Sequence, residues 1–330
     1  MAPLFRRIAE TLASIPLLAF AVACQAPRDT ASPVEQAPAA PTLQVVTTVL
    51  PVTLFTEAVA GECATVTSLL PAGADTHTFQ GRPQDVANLR QAQVLVVNGL
   101  GLEAFLNPLL SSAENQALLT IDSSAGIKPL PLAAPDHGGH GHDPHHHHGH
   151  GADGDGDGDD PHIWLDPQLA VRQVSTIRDG LIQADPSCKD GYERRAAAYV
   201  KQLQDLDQQL AQQLAPYQGR SVVSFHEALG YFVKRYGLNS EALVALPEDQ
   251  PTPADVKRIS ALLQAADVHG LLSEPGGGSA VLQALASDLK LRLEVFDPLE
   301  LVPANAQRTP ELYLQVMSQN GEAVAATFQP

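Results

Sequence analysis

Residues 83–97, PQDVANLRQAQVLVV, decide the fold class. The first ten of them, 83–92, predict a helix, because proline suits a first turn and Asp85 is favoured there by the helix dipole. Residues 94–97 are fully apolar and bounded by polar residues, which is typical of a buried parallel strand. A helix followed at once by such a strand indicates a βαβ unit and a parallel sheet.

The same alternation extends from this stretch in both directions. In the first half, strands are predicted at 43–52, 63–70 and 118–122, and a helix at 102–110. In the second half, strands are predicted at 221–225, 242–246, 271–273 and 292–296, with helices at 253–266 and 280–289. Two long helical patterns, 167–183 and 192–214, lie between the halves. We therefore predict an α/β protein with two lobes of mostly parallel sheet and a long, stiff helix between them.

Length and charge restrict the class of protein. The 330 residues suffice for two domains, and 44% of them are apolar, which is enough to build cores. The formal net charge is −17, from 37 acidic against 20 basic residues. This balance argues against a nucleic-acid partner, since phosphate neutralisation needs clustered Lys and Arg. It is compatible with a cationic ligand.

The N-terminus resembles a secretion signal. Arg6 and Arg7 form a basic segment, and the uncharged apolar run 11–23 follows. That run is short for a bilayer span, and no other apolar run is long enough. We therefore expect a protein that is periplasmic or exposed at the cell surface.

The signal ends in FAVAC, residues 20–24, where small residues before a cysteine resemble a bacterial lipobox. In this interpretation Cys24 becomes the lipidated first residue and anchors the protein to the membrane. Ordinary cleavage near Ala23 is the alternative. We expect the signal and lipobox over 1–24 and a flexible tether rich in Pro and Ala over 25–42.

Two further cysteines, Cys63 and Cys188, remain. They could form a disulfide in an oxidising compartment, but the sequence does not show that they meet. The chain has no CxxC motif, which argues against a thiolate metal site or a redox motif.

Three histidines and one aspartate stand out by their context. His77 follows a predicted strand, His226 and Asp297 each stand at the end of one, and His162 precedes a long helix. The carboxyl ends of strands are where open α/β sheets bind ligands. Three imidazoles and one carboxylate form a tetrahedral set for Zn²⁺, and the nitrogen majority favours zinc over manganese. Four protein ligands leave no open position for a catalytic water, so such a site holds metal.

Each of these residues also has a simpler interpretation. A histidine at a strand end is more often hydrogen-bonded than bound to metal. An aspartate that precedes a proline, as Asp297 does, is suited to cap the following turn. Spacing alone therefore leaves the ligand set open.

A biased segment, 136–160, holds eight of the twelve histidines together with many glycines and an alternating Asp-Gly run. No core can form from this composition, so we expect disorder without metal. The imidazoles are mostly neutral near pH 7 and offer weak auxiliary metal binding, for collecting zinc or sensing high zinc. A solvated linker with incidental affinity is the alternative. The histidines concerned are His137, His140, His142, His145, His146, His147, His148 and His150.

Several motifs in consistent order resemble the metal-specific solute-binding proteins of ABC importers. They are 69–79 (LLPAGADTHTF), 83–86 (PQDV), 98–103 (NGLGLE), 161–167 (PHIWLDP), 225–232 (FHEALGYF) and 295–299 (VFDPL). The resemblance implies two α/β lobes joined by one long helix, with a metal in the cleft. His77, His162, His226 and Asp297 fall on the ligand positions of the family.

Two features make the resemblance strongest to the zinc-uptake, ZnuA-type members. Manganese-type members tend to carry a carboxylate at the third ligand, where this chain has His226 and, one residue on, Glu227. Zinc-uptake members carry a His- and acid-rich loop between the first two ligands, as this chain does. Thr76 replaces a usual proline, and QGR at 80–82 replaces a usual acidic-Pro stretch, which affects the expected loop shape but not the ligand set.

We therefore expect lobes over 43–186 and 219–330 and a linking helix over 187–218. The protein is expected to be a monomer and no enzyme, and to deliver Zn²⁺ to the membrane permease of an ABC transporter and its ATPase. A manganese or iron protein of the same fold is an alternative. A secreted zinc hydrolase is another, although the chain has no HExxH motif. The last alternative is a His-rich metal buffer or a surface adhesin.

Overall fold

A computed structural model describes residues 42–132, 158–245, 251–265, 269–275, 280–301 and 308–329. Its strands are β1 (Leu43–Thr47), β2 (Ala64–Ser68), β3 (Val94–Val97), β4 (Leu119–Asp122), β5 (Ser221–His226), β6 (Asn239–Val244), β7 (Gly270–Ser273) and β8 (Arg292–Val295). Its helices are α1 (Leu50–Ala60), α2 (Pro83–Gln91), α3 (Leu106–Ala113), α4 (Pro167–Ala184), α5 (Lys189–Leu214), α6 (Gly230–Tyr236), α7 (Pro253–Ala265), α8 (Ala280–Leu289) and α9 (Glu311–Ala326).

The first sheet holds four parallel strands in the order β2-β1-β3-β4. All residues of β3 are buried, as predicted for 94–97. Helix α2 begins at Pro83, and Asp85 accepts a 2.8 Å hydrogen bond from the backbone N–H of Arg82. The Arg82 guanidinium also donates to Asp85, at 2.8 Å. The helix and strand predicted from 83–97, and the parallel sheet, are confirmed.

The second sheet repeats this topology, with parallel strands in the order β6-β5-β7-β8. The two halves share a strand order although they show no clear sequence repeat. The direction in which strands are added reverses between β1 and β3 in the first sheet and between β5 and β7 in the second. Open α/β sheets bind ligands at the carboxyl ends of strands beside such points.

The strand predicted over 43–52 is wrong in its second half. Strand β1 ends at Thr47, and α1 begins at Leu50 with Pro51 in its first turn. Most side chains of α1 are buried, so the helix lacks the polar face that reveals a 3.6-residue period. Periodicity alone does not separate a buried helix from a buried strand in a short apolar run.

The helix predicted over 102–110 begins later, as α3. Gly99 and Gly101 have positive φ angles of 88° and 80°, which form a tight turn after β3. Glu103 closes this turn by accepting hydrogen bonds from the backbone N–H groups of Asn98 (2.6 Å) and Gly99 (3.1 Å). Residues 98–105 therefore form a turn that the Glu103 carboxylate stabilises, and the helix begins only at Leu106.

Helix α5, with 26 residues, confirms the long helix predicted between the lobes. It packs against α4 and α1, and also against α9. Helix α6 follows His226, where a helix is expected between the strands of the second sheet, whereas α9 is not predicted from the sequence. Helix α9 follows the second sheet in the chain but returns to pack on α5 and α1, so one hydrophobic core includes residues from both halves. The α/β class with two parallel sheets and a long helix between them is confirmed.

Residues 1–41 and 133–157 lie outside the described residues, and with them the predicted signal, most of the tether and nearly all of the His-rich segment. The domain boundaries predicted from the sequence therefore stay predictions. Of the helices that the structure describes, none combines the length and the apolar character needed to cross a membrane.

Cys63 and Cys188 form a disulfide, with their Cα atoms 6.2 Å apart. Cys63 immediately precedes β2 and Cys188 immediately precedes α5, so the bond ties the first sheet to the long helix. Arg195 of α5 reinforces this junction, because its guanidinium donates to the carbonyl oxygen of Ala60 at 2.7 Å. The pairing that the sequence left open is present, and such bonds persist in oxidising compartments.

Replacing both cysteines with serine is expected to lower the free energy of unfolding by about 2–4 kcal/mol. The bond links positions 125 residues apart, so its loss frees a long loop in the unfolded chain. Denaturant titration with and without reductant measures the effect. The wild-type protein should lose stability on reduction, and the double variant should not respond. A wild-type protein equally stable in both conditions would contradict this prediction.

Candidate metal centre

Four ionisable side chains from distant parts of the chain meet in the interior. His77, His162, His226 and Glu300 each offer a potential ligand atom, and these atoms all lie within 4.8 Å of one another. The side chains of His162, His226 and Glu300 are 3%, 1% and 4% exposed, and that of His77 is 11% exposed. The three predicted histidines are therefore brought together, and the carboxylate that joins them is Glu300, which is not among the residues predicted from the sequence.

The secondary structure explains how these residues meet. His226 is the last residue of β5, His77 lies in the loop after β2, and Glu300 lies in the turn after β8. His162 immediately precedes a short 3-10 turn, Ile163–Leu165, that leads into α4. Three of the four residues thus lie at or beyond the carboxyl ends of parallel strands, from both sheets.

Hydrogen bonds fix the His77 loop against the Glu300 turn. The buried Thr76 hydroxyl donates to the carbonyl oxygen of Glu300 at 3.0 Å, and an antiparallel bridge joins Asp75 to Leu301. The Asp75 carboxylate accepts from the backbone N–H of His77 at 2.9 Å. Thr76 stands where the family resemblance predicts a proline, and its hydroxyl supplies a contact that proline lacks.

The His162 segment is fixed by contacts with three other elements. The buried Trp164 donates its indole N–H to the carbonyl oxygen of Pro298 at 2.8 Å, and Tyr313 of α9 donates to the carbonyl oxygen of Trp164 at 2.6 Å. Asn98, at the end of β3, donates to the carbonyl oxygen of the residue before His162 at 3.0 Å. The position of His162 therefore depends on both halves of the chain.

Glu300 is the centre of the cluster. Its Oε1 lies 2.7 Å from Nε2 of His77 and 2.8 Å from Nε2 of His162, and its Oε2 lies 3.2 Å from Nε2 of His226. The last contact lacks hydrogen-bond geometry, so Nε2 of His226 is a buried nitrogen without a hydrogen-bond partner among the described residues. All three Nε2 atoms thus lie close to one carboxylate.

Burial and charge oppose each other in this cluster. Burial favours the neutral acid, yet the three histidines hold the pKa of Glu300 well below its usual range. Burial also lowers the pKa of His162, but Glu300 and a hydrogen bond to Asp160 outweigh it and raise this pKa to about 9. For His226, burial is outweighed by Glu274 and Glu300, which raise its pKa to about 10. In the metal-free protein both rings are therefore protonated at neutral pH and Glu300 is ionised.

Asp297, the carboxylate predicted to bind metal, is not a member of the cluster. Its Oδ1 accepts a 2.7 Å hydrogen bond from the backbone N–H of Leu299, and its backbone N–H and carbonyl each bond to the Asn320 side chain at 2.8 Å. Asp297 thus caps the turn that carries Glu300 to the histidines. Glu300 directly follows the motif at 295–299 and lies outside the residues that carry the family resemblance. Glu300 is the carboxylate that the structure brings to the histidines.

The cluster suits a small divalent cation that prefers nitrogen. Tetrahedral Zn²⁺ binds its N and O ligands at about 2.0–2.2 Å, which sets the ligand atoms about 3.3–3.5 Å apart. The separations of 2.7–3.2 Å from Glu300 to the three imidazoles are slightly shorter. A shift of the carboxylate by about 0.5 Å would satisfy that geometry. The buried, unbonded Nε2 of His226 fits the same interpretation, because a metal would be its partner.

The auxiliary histidines predicted in the His-rich segment, and Cys24, lie outside the described residues. Within the ranges that the structure describes, no second group of three or more His, Cys, Asp or Glu is arranged to hold a metal. Glu227, which follows the third histidine in the sequence, is not a member of the cluster.

Comparison with known proteins agrees with this fold and cluster. The family described as "Zinc-uptake complex component A periplasmic" matches residues 45–327, and the chain belongs to this family. The zinc-binding lipoprotein AdcA of Streptococcus pneumoniae is 30% identical over 323 residues, which is 98% of this chain and 61% of AdcA. The high-affinity zinc uptake system protein ZnuA of Bacillus subtilis is 30% identical over 283 residues, which is 86% of either chain. The chain thus spans about three fifths of AdcA and most of that ZnuA.

Solved structures share the architecture. A crystal structure of ZnuA superimposes with a TM-score of 0.71 at 26% identity, covering 87% of this chain and all of that one. The Zn(II)-bound ZnuA-like domain of Streptococcus pneumoniae AdcA gives a TM-score of 0.70 at 27% identity, covering 88% of this chain and all of that one. The resemblance stated from the sequence motifs is therefore confirmed at the level of family and fold.

The metal-free protein is expected to lose stability as the pH rises from about 6.5 to 10. His162 and His226 have pKa values of about 9 and about 10 in the folded state, against 6.5 for an ordinary histidine. Over this range the folded protein keeps protons that the unfolded chain has released, so folding weakens by up to about 1.4 kcal/mol per pH unit for each proton. Urea unfolding of chelator-treated protein across this pH range measures the slope.

Glu300→Gln provides the control for this prediction. It removes the carboxylate charge that raises both histidine pKa values, so the loss of stability with rising pH should become shallower. An unchanged slope in this variant would show that the cluster is not its cause.

Proposed function

We propose that this protein captures Zn²⁺ outside the cytoplasm and delivers it to the membrane permease of an ABC transporter, which its ATPase drives. The observation that carries the proposal is the buried cluster of three imidazoles and Glu300, contributed by both halves of a two-lobed fold. Zinc is the cargo of this site. Membership of a zinc-uptake family and the names of the zinc-binding relatives support the same assignment.

The donor set favours zinc over manganese or iron. Imidazole nitrogen suits zinc, whereas manganese prefers carboxylate oxygen. Here the third ligand is His226, and Glu300 is the single carboxylate in the cluster. An exchange of His226 for a carboxylate would be needed to make the site resemble that of a manganese protein.

The site also favours binding over catalysis. Four protein ligands complete a tetrahedral shell, whereas a catalytic zinc keeps one position for water or substrate. We therefore propose a binding protein that has no hydrolase activity. A secreted zinc hydrolase would require that one of the four residues does not coordinate the metal, which leaves a position for water.

We propose that Cys24 is lipidated and that 25–42 tethers the binding domain to the membrane, as a monomer beside its permease. The relative AdcA is described as a lipoprotein. The Cys63–Cys188 disulfide supports a location outside the reducing cytoplasm. The histidines of 136–160 are proposed as an auxiliary site that collects zinc near the cleft.

A competitive titration with Zn²⁺ and Mn²⁺ tests the metal and the site together. The mature protein and a variant that lacks 137–157 should each bind about one Zn²⁺ tightly and prefer it to Mn²⁺. Residues 158–160 are retained because Asp160 contacts His162. Loss of tight binding with the segment would place the metal on the histidine run and overturn the proposal.

Glu300 and Asp297 are distinguished by a matched pair of variants. Glu300→Gln should weaken zinc binding by at least about tenfold, because it removes the charged ligand. Asp297→Asn keeps an acceptor for the N–H of Leu299 and should bind zinc nearly as the wild type does. Zinc competition with a chelator measures both. The opposite ranking would restore Asp297 as the ligand.

A further inference from the structure

Two of the three histidines in the cluster, His162 and His226, share one arrangement, in which a carboxylate contacts ring atom Nδ1 while Nε2 faces Glu300. Oδ1 of Asp160 accepts from the backbone N–H of His162 at 3.0 Å and contacts its ring Nδ1 at 2.7 Å. Oε1 of Glu274 accepts from the backbone N–H of His226 at 3.3 Å and contacts its ring Nδ1 at 2.6 Å. In each case one carboxylate oxygen holds the backbone and the ring of a single histidine.

We propose that Asp160 and Glu274 are positioning residues that set the affinity of the zinc site through His162 and His226. This inference rests on the proposed function. A ring that donates its Nδ1–H to a carboxylate presents the lone pair of Nε2, and the negative charge behind it strengthens that nitrogen as a ligand. Both Nε2 atoms face Glu300, on the side where the metal would lie.

The two carboxylates are themselves fixed by the fold. Glu274 directly follows β7, and His226 ends the neighbouring strand β5, so their contact lies where the strand order of the second sheet reverses. Asp160 is held by its backbone, since its N–H donates to the carbonyl oxygen of Leu130 at 2.8 Å and its carbonyl accepts from the Tyr231 hydroxyl at 2.9 Å. Such support keeps a ring orientation constant, which a ligand site requires.

His77 differs from His162 and His226 in the contacts of its ring. Asp75 lies two residues before His77, as Asp160 lies two residues before His162, and its Oδ1 likewise accepts from the histidine N–H, at 2.9 Å. In the described part of the chain, however, the hydrogen bond of the His77 ring is to Glu300 and not to Asp75. Asp75 therefore has the same spacing and backbone contact without the ring contact, which makes it a matched control.

The experiment compares Asp160→Ala, Glu274→Ala, Asp160→Asn and Asp75→Asn in the mature protein. Zinc affinity is measured by competition with a chelator, and ligand geometry by the visible absorption of the Co²⁺-substituted site. The two alanine variants should bind zinc about 10–100-fold more weakly and show an altered Co²⁺ spectrum. Asp160→Asn, which keeps an oxygen acceptor, should recover part of the loss. Asp75→Asn keeps an oxygen acceptor for the backbone N–H of His77 and removes no contact with the ring, so it should match the wild type in both measurements.

Thermal unfolding of each metal-free variant separates positioning from folding. If Asp160→Ala does not fold, Glu274→Ala carries the test, because the hydrogen bonds described for Glu274 are both to His226. Wild-type affinity and spectrum in the folded alanine variants would overturn the inference, as would an equal loss in Asp75→Asn. Failure of the wild-type protein itself to bind zinc would instead overturn the proposed function.

Discussion

A carboxylate buried among three imidazoles is the constraint on which this structure depends. An ionised carboxylate in the interior is costly unless an opposite charge compensates it. Glu300 is 4% exposed, and in the metal-free protein the protonated His162 and His226 compensate its charge. A divalent cation bound at the proposed site would compete with protons for the same nitrogen atoms. The charge of the cluster, the stability of the fold and the affinity for metal are coupled through this competition.

Two sheets of the same topology bring these groups together, and contacts between the loops that carry them set their geometry as a unit. Thr76 bonds to the backbone of Glu300, and Trp164 bonds to the turn that leads to it. The Cys63–Cys188 disulfide and the packing of α9 on α5 and α1 join the supporting elements. The segments that carry His77, His162 and Glu300 are therefore joined directly by hydrogen bonds from side chains to backbone carbonyl groups.

The carboxylates in and around the cluster occupy different positions relative to the imidazole rings. Glu300 lies beside the Nε2 atoms of the three imidazoles, while Asp160 and Glu274 contact Nδ1 on the other side of the His162 and His226 rings. Nitrogen ligands backed by carboxylates suit zinc, and a shell completed by the protein suits capture rather than turnover. His77 is held differently, because Asp75 fixes its backbone and Glu300 contacts its ring. The side chains of the cluster are thus unequal in how firmly the fold orients them.

Local signals in apolar runs, periodicity and motifs predict the α/β class, the two parallel sheets, the long helix α5 and the three histidines that the cluster brings together. The start of α1 is wrongly predicted as strand, because most side chains of this helix are buried and no polar face marks its 3.6-residue period. Helix α9 is not predicted, because its packing against elements of both halves defines it. Which of Asp297 and Glu300 lies beside the histidines depends on the tertiary structure. Both are acidic residues in one short turn, and their roles depend on the direction in which that turn carries each side chain. The Cys63–Cys188 disulfide and the contact of Glu274 with His226 join residues 125 and 48 positions apart, which no local pattern encodes. Asp75 and Asp160 have the same spacing to their histidines, yet only Asp160 contacts the ring, so the sequence spacing does not determine that contact either.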